Sequence, residues 1–382
     1  MQISSERILT THTGSLPRPD DLLELLVARD RGEPYDRAAF DERLRVAVDY
    51  TVQKQIAAGI DIVNDGEMSK IGYGAYVKER LTGYDGEEAP RIHASDLDEF
   101  PEYFRRLYGP EGIDKMTRPL CTGPIEYVDA DAVKTDLQNL KNATKDAPVA
   151  DRFINSATPG LVSLWLGNAH YKSHEEYVWA IANAMKQEYD AIVGAGFVLQ
   201  FDSPDLGMGR HMQFADLDLQ EFRKNIEMHI EALNHATRDL PPESMRLHLC
   251  WGNYDGPHHH DVELKDTIDI VLKARPAGVT FEGANARHEH EWKVWRDTEV
   301  PDDKILFPGV INSVSNFIEH PELVSDRICR IADIVGRERV IACTDCGMST
   351  QAGHTKVDPD IGWAKYASMA EGAALASERL WP

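Results

Sequence analysis

Two stretches of the chain repeat one order of events: an amphipathic helix, a glycine stop, a short apolar strand and an acid where the strand ends. The first carries Phe40, Leu44, Val48, Val52 and Ile56 at four-residue spacing, stops at Gly59, and runs through Ile60-Asp61-Ile62-Val63-Asn64 into Asp65-Gly66-Glu67. That spacing puts the apolar side chains on one helix face, and glycine supplies the turn that ends it. The second opens with Ser173 and Glu176, the spacing of a capping box. It carries Val178, Ile181, Met185 and Ile192 on one face, passes Gly194 and Gly196, and runs through Phe197-Val198-Leu199-Gln200-Phe201 into Asp202. Asp65 lies six residues after Gly59, and Asp202 lies six after Gly196. Helices with one apolar face, alternating with strands apolar on both, bury their surfaces as the layers of a parallel α/β sheet.

Further strands are expected at Ile8–Thr11, Asp151–Asn155, Met245–Leu249, Gly278–Phe281, Ile305–Ile311 and Val340–Cys343, making eight in all. Helical patterns fall between most of them, at Leu217–Ala236, Leu264–Ala274, Pro321–Val335 and Ile361–Leu380. Eight alternating units predict an α/β fold of the (β/α)8 TIM-barrel type, as a single domain over residues 1–382. Residues 69–150 are too many for one helix and its loops. With Gly83, Gly86 and several prolines, they read as an insertion between the second and third strands, a hairpin or small helices over the barrel mouth. Gly194-Ala195-Gly196 precedes a strand, the wrong context for a dinucleotide-binding loop.

The chain has 64 acidic and 41 basic side chains, a formal charge of −23. Nucleic acid and anionic membranes would be repelled, so small molecules are the expected partners, and a homo-oligomer is compatible with the sequence. The N-terminus, Met1–Ser15, lacks a basic region followed by an apolar one, and no apolar run approaches a membrane span; a cytoplasmic location is expected. Five cysteines, Cys121, Cys250, Cys329, Cys343 and Cys346, are too few in 382 residues for a disulfide framework.

A barrel of this kind builds its active site where strands end. His248 and Cys250 close the fifth strand, two residues apart and so facing the same way. Glu282 closes the sixth strand, and Cys346 follows the eighth in Cys343-Thr344-Asp345-Cys346-Gly347. One imidazole, two thiols and a carboxylate at one opening suit zinc, whose bound thiols are deprotonated; alkyl transfer to sulfur is the reaction type suggested. Cys343 and Cys346 could instead be a redox Cys-x-x-Cys, although that motif normally opens a helix. Cys329 reads as helix packing, and the run His258-His259-His260 as a solvated loop after the fifth strand or an adventitious metal trap. His288 and His290 stand as alternative ligands.

The His248-x-Cys250 pair, Glu282 in Val279-Thr280-Phe281-Glu282, and Cys346 in Asp345-Cys346-Gly347 resemble the zinc pattern of the cobalamin-independent methionine synthases. The resemblance is to the C-terminal catalytic barrel of those two-barrel enzymes and extends along most of this chain. It also covers Thr13-Gly14-Ser15, the family's substrate loop, with Asp65-Gly66-Glu67 and Asp202-Ser203-Pro204, its second- and fourth-strand acids. It implies Zn2+ on His248, Cys250, Glu282 and Cys346, and a homocysteine-like acceptor. The amine would lie on Glu67 and Asp202, which are also the catalytic candidates, and the carboxylate on Ser15. His12, beside that loop, joins the substrate-binding candidates. Trp165, six residues after Pro159, resembles the tryptophan that stacks on the folate pterin.

One segment departs from the family. Its members carry Asp-x-His-Ser after the seventh strand, where this chain has Asn312-Ser313-Val314-Ser315, so Val314 replaces a histidine that assists departure of the folate nitrogen. The alkyl donor is therefore left open among methylfolate, methylcobalamin, a sulfonium and an epoxide. Epoxyalkane:coenzyme M transferases resemble the zinc site too, and opening of a strained epoxide asks less of an acid. Their sulfonate needs a cation, for which Arg18, Lys70 and Arg210 are candidates, whereas Glu67 and Asp202 suit an amino-acid thiol. A non-catalytic zinc-binding or methionine-responsive protein is the alternative outside enzymology.

Overall fold

A computed structural model describes residues 1–90, 92–108, 116–353 and 355–382, with the backbone alone at 107 and 108. Eight strands run in chain order: β1 (Leu9–Thr10), β2 (Ile62–Val63), β3 (Asp151–Ala157), β4 (Val198–Asp202), β5 (Met245–Leu249), β6 (Gly278–Phe281), β7 (Ile305–Ile311) and β8 (Ile341–Thr344). From β2 to β8 each strand pairs in parallel with its sequence neighbour, and β8 returns to pair with β1. The architecture is the expected (β/α)8 barrel.

β1 and β2 are shorter than the sequence suggests, because side chains replace the ladder at the seam between them. The Asp61 carboxylate accepts from the Thr10 amide at 2.9 Å, and Thr11 Oγ1 donates to the Ile62 carbonyl at 3.0 Å. A single backbone bond, from Asp61 N to the Thr10 carbonyl at 3.1 Å, completes the closure.

The helices are α1 (Asp20–Asp30), α2 (Arg37–Ala57), α3 (Pro101–Tyr108), α4 (Ala130–Ala143), α5 (Pro159–Trp165), α6 (His174–Gly194), α7 (Leu219–Ala236), α8 (Ile268–Val271), α9 (Trp292–Asp297), α10 (Pro321–Val335) and α11 (Pro359–Leu380). At the start of α6 only half of the expected capping box forms: Ser173 accepts from the Glu176 amide, while the Glu176 carboxylate takes the Lys172 amide. The pattern at Leu264–Ala274 splits into a 3-10 turn, Leu264–Asp266, and the single turn α8. Thr267, at φ −130°, separates them.

Within 69–150, α4 packs against both α2 and α6 and so lies in the outer ring of the barrel. The stretch before it holds two 3-10 turns, Ala75–Glu79 and Ser95–Glu99, with α3. Antiparallel bridges join Leu81 to Tyr127 and Glu88 to Pro119.

The barrel interior is apolar at the end where the strands start, around Leu9, Ile62, Phe153, Val198, Phe307, Ile341 and Cys343. Arg246 crosses it above that layer, fully buried. Its guanidinium donates to Gln200 Oε1 at 2.7 Å, Thr11 Oγ1 at 3.1 Å and the His12 carbonyl at 2.9 Å, and lies 3.7 Å from the Phe153 ring centroid. Burial lowers its pKa to about 10, still charged at neutral pH. Arg246→Met fills a similar volume but takes the donor from three buried acceptors, each loss costing about 1–3 kcal/mol. Urea unfolding of this variant is expected to show a loss of about 3 kcal/mol, with the m-value unchanged.

Candidate active site

His248 is the fourth residue of β5, Cys250 follows that strand, Glu282 follows β6, and Cys346 lies two residues beyond β8. All four are buried. Donor atoms of His248, Cys250 and Cys346 lie within 4.8 Å of one another. Cys346 Sγ is 3.4 Å from His248 Nε2 and 3.7 Å from Glu282 Oε1. The donors are held from behind. Thr280 Oγ1 sits 2.6 Å from His248 Nδ1, directing Nε2 to the site. The Trp251 amide donates to Glu282 Oε1 at 2.9 Å and Asn285 to its Oε2 at 2.6 Å. Asp345 in turn accepts the Gly283 and Ala284 amides, fixing the turn that carries Glu282.

Electrostatically the cluster is short of positive charge. Burial, then the neighbouring Cys250 and Glu282, push the Cys346 thiol well up, and burial raises the Glu282 carboxyl. Burial lowers His248 to about 3, leaving a neutral imidazole able to ligate. Two thiols, an imidazole and a carboxylate, crowded and out of water, are the donor set of a tetrahedral zinc site. A divalent cation there would hold the thiols ionised. Removing the hydrogen bond that orients His248 is the direct check: Thr280→Val should weaken zinc retention by roughly 10–100-fold against a chromophoric chelator.

Beside these donors lies a cavity of about 340 Å³ lined by Ser15, Glu67, Asp202, His248, Cys250 and Cys346 together with Tyr73 and Asn253. Six of the residues singled out from sequence therefore share one small space. Glu67 is buried with φ +57°, a conformation rarely held by a side-chain-bearing residue without cause. Its Oε2 has no hydrogen-bond partner among the described residues. Burial raises its carboxyl to about 7, with Lys70 and Arg18 opposing and Asp202 adding to the rise. Asp202 accepts from Gln200 at 2.9 Å and from Asn155 at 3.2 Å; burial lifts it to about 6 against those bonds. Gly14, at φ +133°, abuts Asn155 so closely that a Cβ would lie 2.4 Å from Oδ1, and a Cβ on Gly347 would strike Ser15 Oγ. Both glycines are thus required for the loops around Ser15 to meet.

Two candidates stand elsewhere. His12 does not line the cavity: its Nε2 is 2.7 Å from Gln55 Oε1, its Nδ1 accepts from the Gly14 amide, and its ring packs on Phe153 and Tyr366. It points into the barrel wall and supports the loop from behind. Trp165 lines a neighbouring cavity of about 760 Å³, with Arg118 4.3 Å from its ring centroid and Tyr73 edge-on. Tyr73 is common to both cavities.

No protein-family model matches the chain. Curated relatives do. A protein named methionine synthase from Saccharolobus islandicus is 25% identical over 374 residues, covering 97% of this chain and 95% of the relative. One of the same name from Sulfolobus acidocaldarius is 24% identical over 373 residues, covering 97% and 93%. The chain is a full-length homologue of proteins named methionine synthase. Among solved structures, a B12-independent methionine synthase from Shewanella sp. W3-18-1, in complex with selenomethionine, superposes with a TM-score of 0.74 at 21% identity, covering 98% of this chain and 99% of that one. A putative vitamin-B12-independent methionine synthase from Listeria monocytogenes gives 0.62 at 16% identity, covering 98% and 99%. These two show the shared single-barrel fold.

Relative to that homology, the sequence alone left several residues unassigned. Asn155 and Gln200 face inward on β3 and β4 and carry the bonds to Asp202, yet they read as strand interior. His288 does not reach the metal donors: it stacks on Trp251 at 4.1 Å and bonds Asp261 and Glu291, and His290 is exposed. His258 is half-buried, bonded to Asp261, and lines a cavity of about 990 Å³ with Glu282, Val314 and Cys346. Cys343 is buried in the barrel interior behind Thr13, with its thiol pushed up to about 11 by burial, and no disulfide joins it to Cys346. Cys329 packs in α10.

Proposed function

We propose that this chain transfers a methyl group to the sulfur of homocysteine or a closely similar amino thiol, with zinc held by His248, Cys250, Cys346 and Glu282. The observation that carries the reading is the shared cavity, which metal-ligating donors and two buried carboxyls line together. The name of the full-length homologues agrees with it. When bound, zinc supplies the Lewis acidity that keeps a substrate thiol deprotonated near neutral pH.

The protein's own groups do the rest. Glu67 and Asp202 form a dry pair of carboxyls, both raised chiefly by burial, and an ammonium group bound beside them would offset that lost hydration and hold them ionised. Ser15, packed against Gly347 and lining the same cavity, offers a hydroxyl for a carboxylate. The methyl donor would enter over Tyr73 through the cavity lined by Trp165, Met208 and Arg118, whose aromatic and cationic wall suits a planar heteroaromatic group. The coenzyme M reading has no such support. Arg18 and Lys70 donate to backbone carbonyls, Arg210 does the same at Phe214 and Ala215, and none of the three lines the thiol cavity.

Methyl transfer to homocysteine is the test. Cys346→Ser should lose zinc and activity together, while Asp202→Asn should raise KM for homocysteine roughly 10–100-fold and leave an uncharged thiol nearly unaffected. Equal effects on both thiols would overturn the amine assignment, and full activity without zinc would overturn the metal. A non-catalytic binding protein would bind homocysteine and zinc with no turnover.

Acid should weaken the same contact. Glu67 holds an ammonium group only when ionised, and its carboxyl sits near 7 among Lys70, Arg18 and Asp202. KM for homocysteine is therefore expected to climb as pH falls from about 8 through 7, and Glu67→Gln should flatten that limb of the profile.

A further inference from the structure

The described residues contain a second group of convergent metal donors, on the surface and away from the first: Glu99, His259 and His260, with ligand atoms within 4.8 Å of one another. They come from two segments, the 3-10 turn Ser95–Glu99 and the loop after β5. Both imidazoles aim the same nitrogen at the same oxygen: His259 Nε2 lies 3.0 Å and His260 Nε2 2.7 Å from Glu99 Oε1. His260 Nδ1 lies 3.0 Å from Ser95 Oγ, the outer hydrogen bond that orients a ligating histidine and fixes its tautomer. The His259 ring is further braced edge-on against Phe100. Glu99, His259 and His260 are all open to water, at 53%, 38% and 37% side-chain exposure, so an ion needs no path through the protein. The formal charge of −23 concentrates cations around the chain.

We propose that Glu99, His259 and His260 form a second, surface-exposed site for a borderline divalent transition ion such as zinc, nickel or copper, and that occupancy clamps the 95–99 turn to the loop after β5. Two imidazoles and one carboxylate suit these ions over calcium or magnesium, which prefer all-oxygen sites. The consequence lies in what the two segments enclose. Ala94 and Leu97 pack against Tyr254 in a small apolar cluster of their own, and these three residues line the cavity that Trp165 shares. Tyr254 OH and the His258 amide already donate to Asp96 Oδ2, at 2.8 Å and 2.7 Å, and Tyr103 OH reaches the Asp255 carbonyl. An ion on Glu99 adds a latch at the outer rim of the same contact, restraining the wall of the mouth from outside.

Zinc itself is the probe, titrated into the chelator-stripped full chain against a chromophoric competitor. Wild-type protein is expected to take up two equivalents, the weaker one lost in the exposed double variant His259→Ala/His260→Ala and retained in Cys346→Ser, which removes the buried site alone. Ser95→Ala should weaken that second equivalent by roughly tenfold, an effect a mere surface ion pair would not show. Filling it should slow amide exchange across residues 92–104 in wild type and leave the double variant unchanged. Uptake of a single equivalent by wild-type protein, or an undiminished second equivalent in the double variant, would overturn the proposal. Loss of the second equivalent without any slowing of exchange would overturn the clamp.

Discussion

The structure turns on a buried cation at the centre of the barrel. Arg246 on β5 touches the chain on both sides of the interior: Thr11 and His12 beyond β1, Gln200 on β4, and the face of Phe153 on β3. A guanidinium is tolerated there because oxygen acceptors and ring faces replace its water, and a lysine could not match its planar fork of donors. From it a chain of hydrogen bonds leads outward. Gln200 bonds Asp202 and the Thr13 carbonyl, and Asn155 bonds both as well. The barrel interior and the acid in the thiol cavity are therefore one polar network, which sets where the loop carrying Ser15 can sit.

The same logic accounts for the two unusual charges of the site. Glu67 is held at positive φ by a turn in which Asp65 accepts its amide, and Arg18 gathers the carbonyls of Glu67 and Lys70 beneath it. Side-chain positive charge is thus engaged in holding backbone, leaving the two carboxyls of Glu67 and Asp202 short of a counter-ion. The metal donors His248, Cys250, Cys346 and Glu282 are short of positive charge too. A ligand carrying an ammonium group at one end and a metal-seeking sulfur at the other resolves both shortages at once. The proposed preference for an amino thiol over a sulfonate thiol rests on that complementarity more than on any single residue.

Legibility in the sequence followed the strength of the local signal. The strands β3 to β8 and the helices α2, α6, α7, α10 and α11 carry an apolar face long enough to announce itself, and their positions agree within a few residues. β1 and β2 fell short because the seam uses Asp61, Thr10 and Thr11 side chains in place of a ladder, a substitution no periodicity reveals. α4 was hidden inside 69–150 because only its packing on α2 and α6 shows that it belongs to the ring. His12 looked like a loop residue beside Ser15, yet one residue of register turns a side chain from mouth to wall.

By itself the sequence determined the alternation that makes a parallel barrel, and the donor types at the tips of β5, β6 and β8, because both depend on residue spacing along single segments. Only the tertiary structure decided which polar residues meet. Glu67, Asp202 and Ser15 come from the turn after β2, from β4 and from the loop after β1, and they share one cavity with His248, Cys250 and Cys346 through barrel closure alone. It also decided that Arg18, Lys70 and Arg210 serve the backbone, and that Glu99 meets two histidines some 160 residues away. Those encounters are fixed by the path of the chain through space, which no local pattern records.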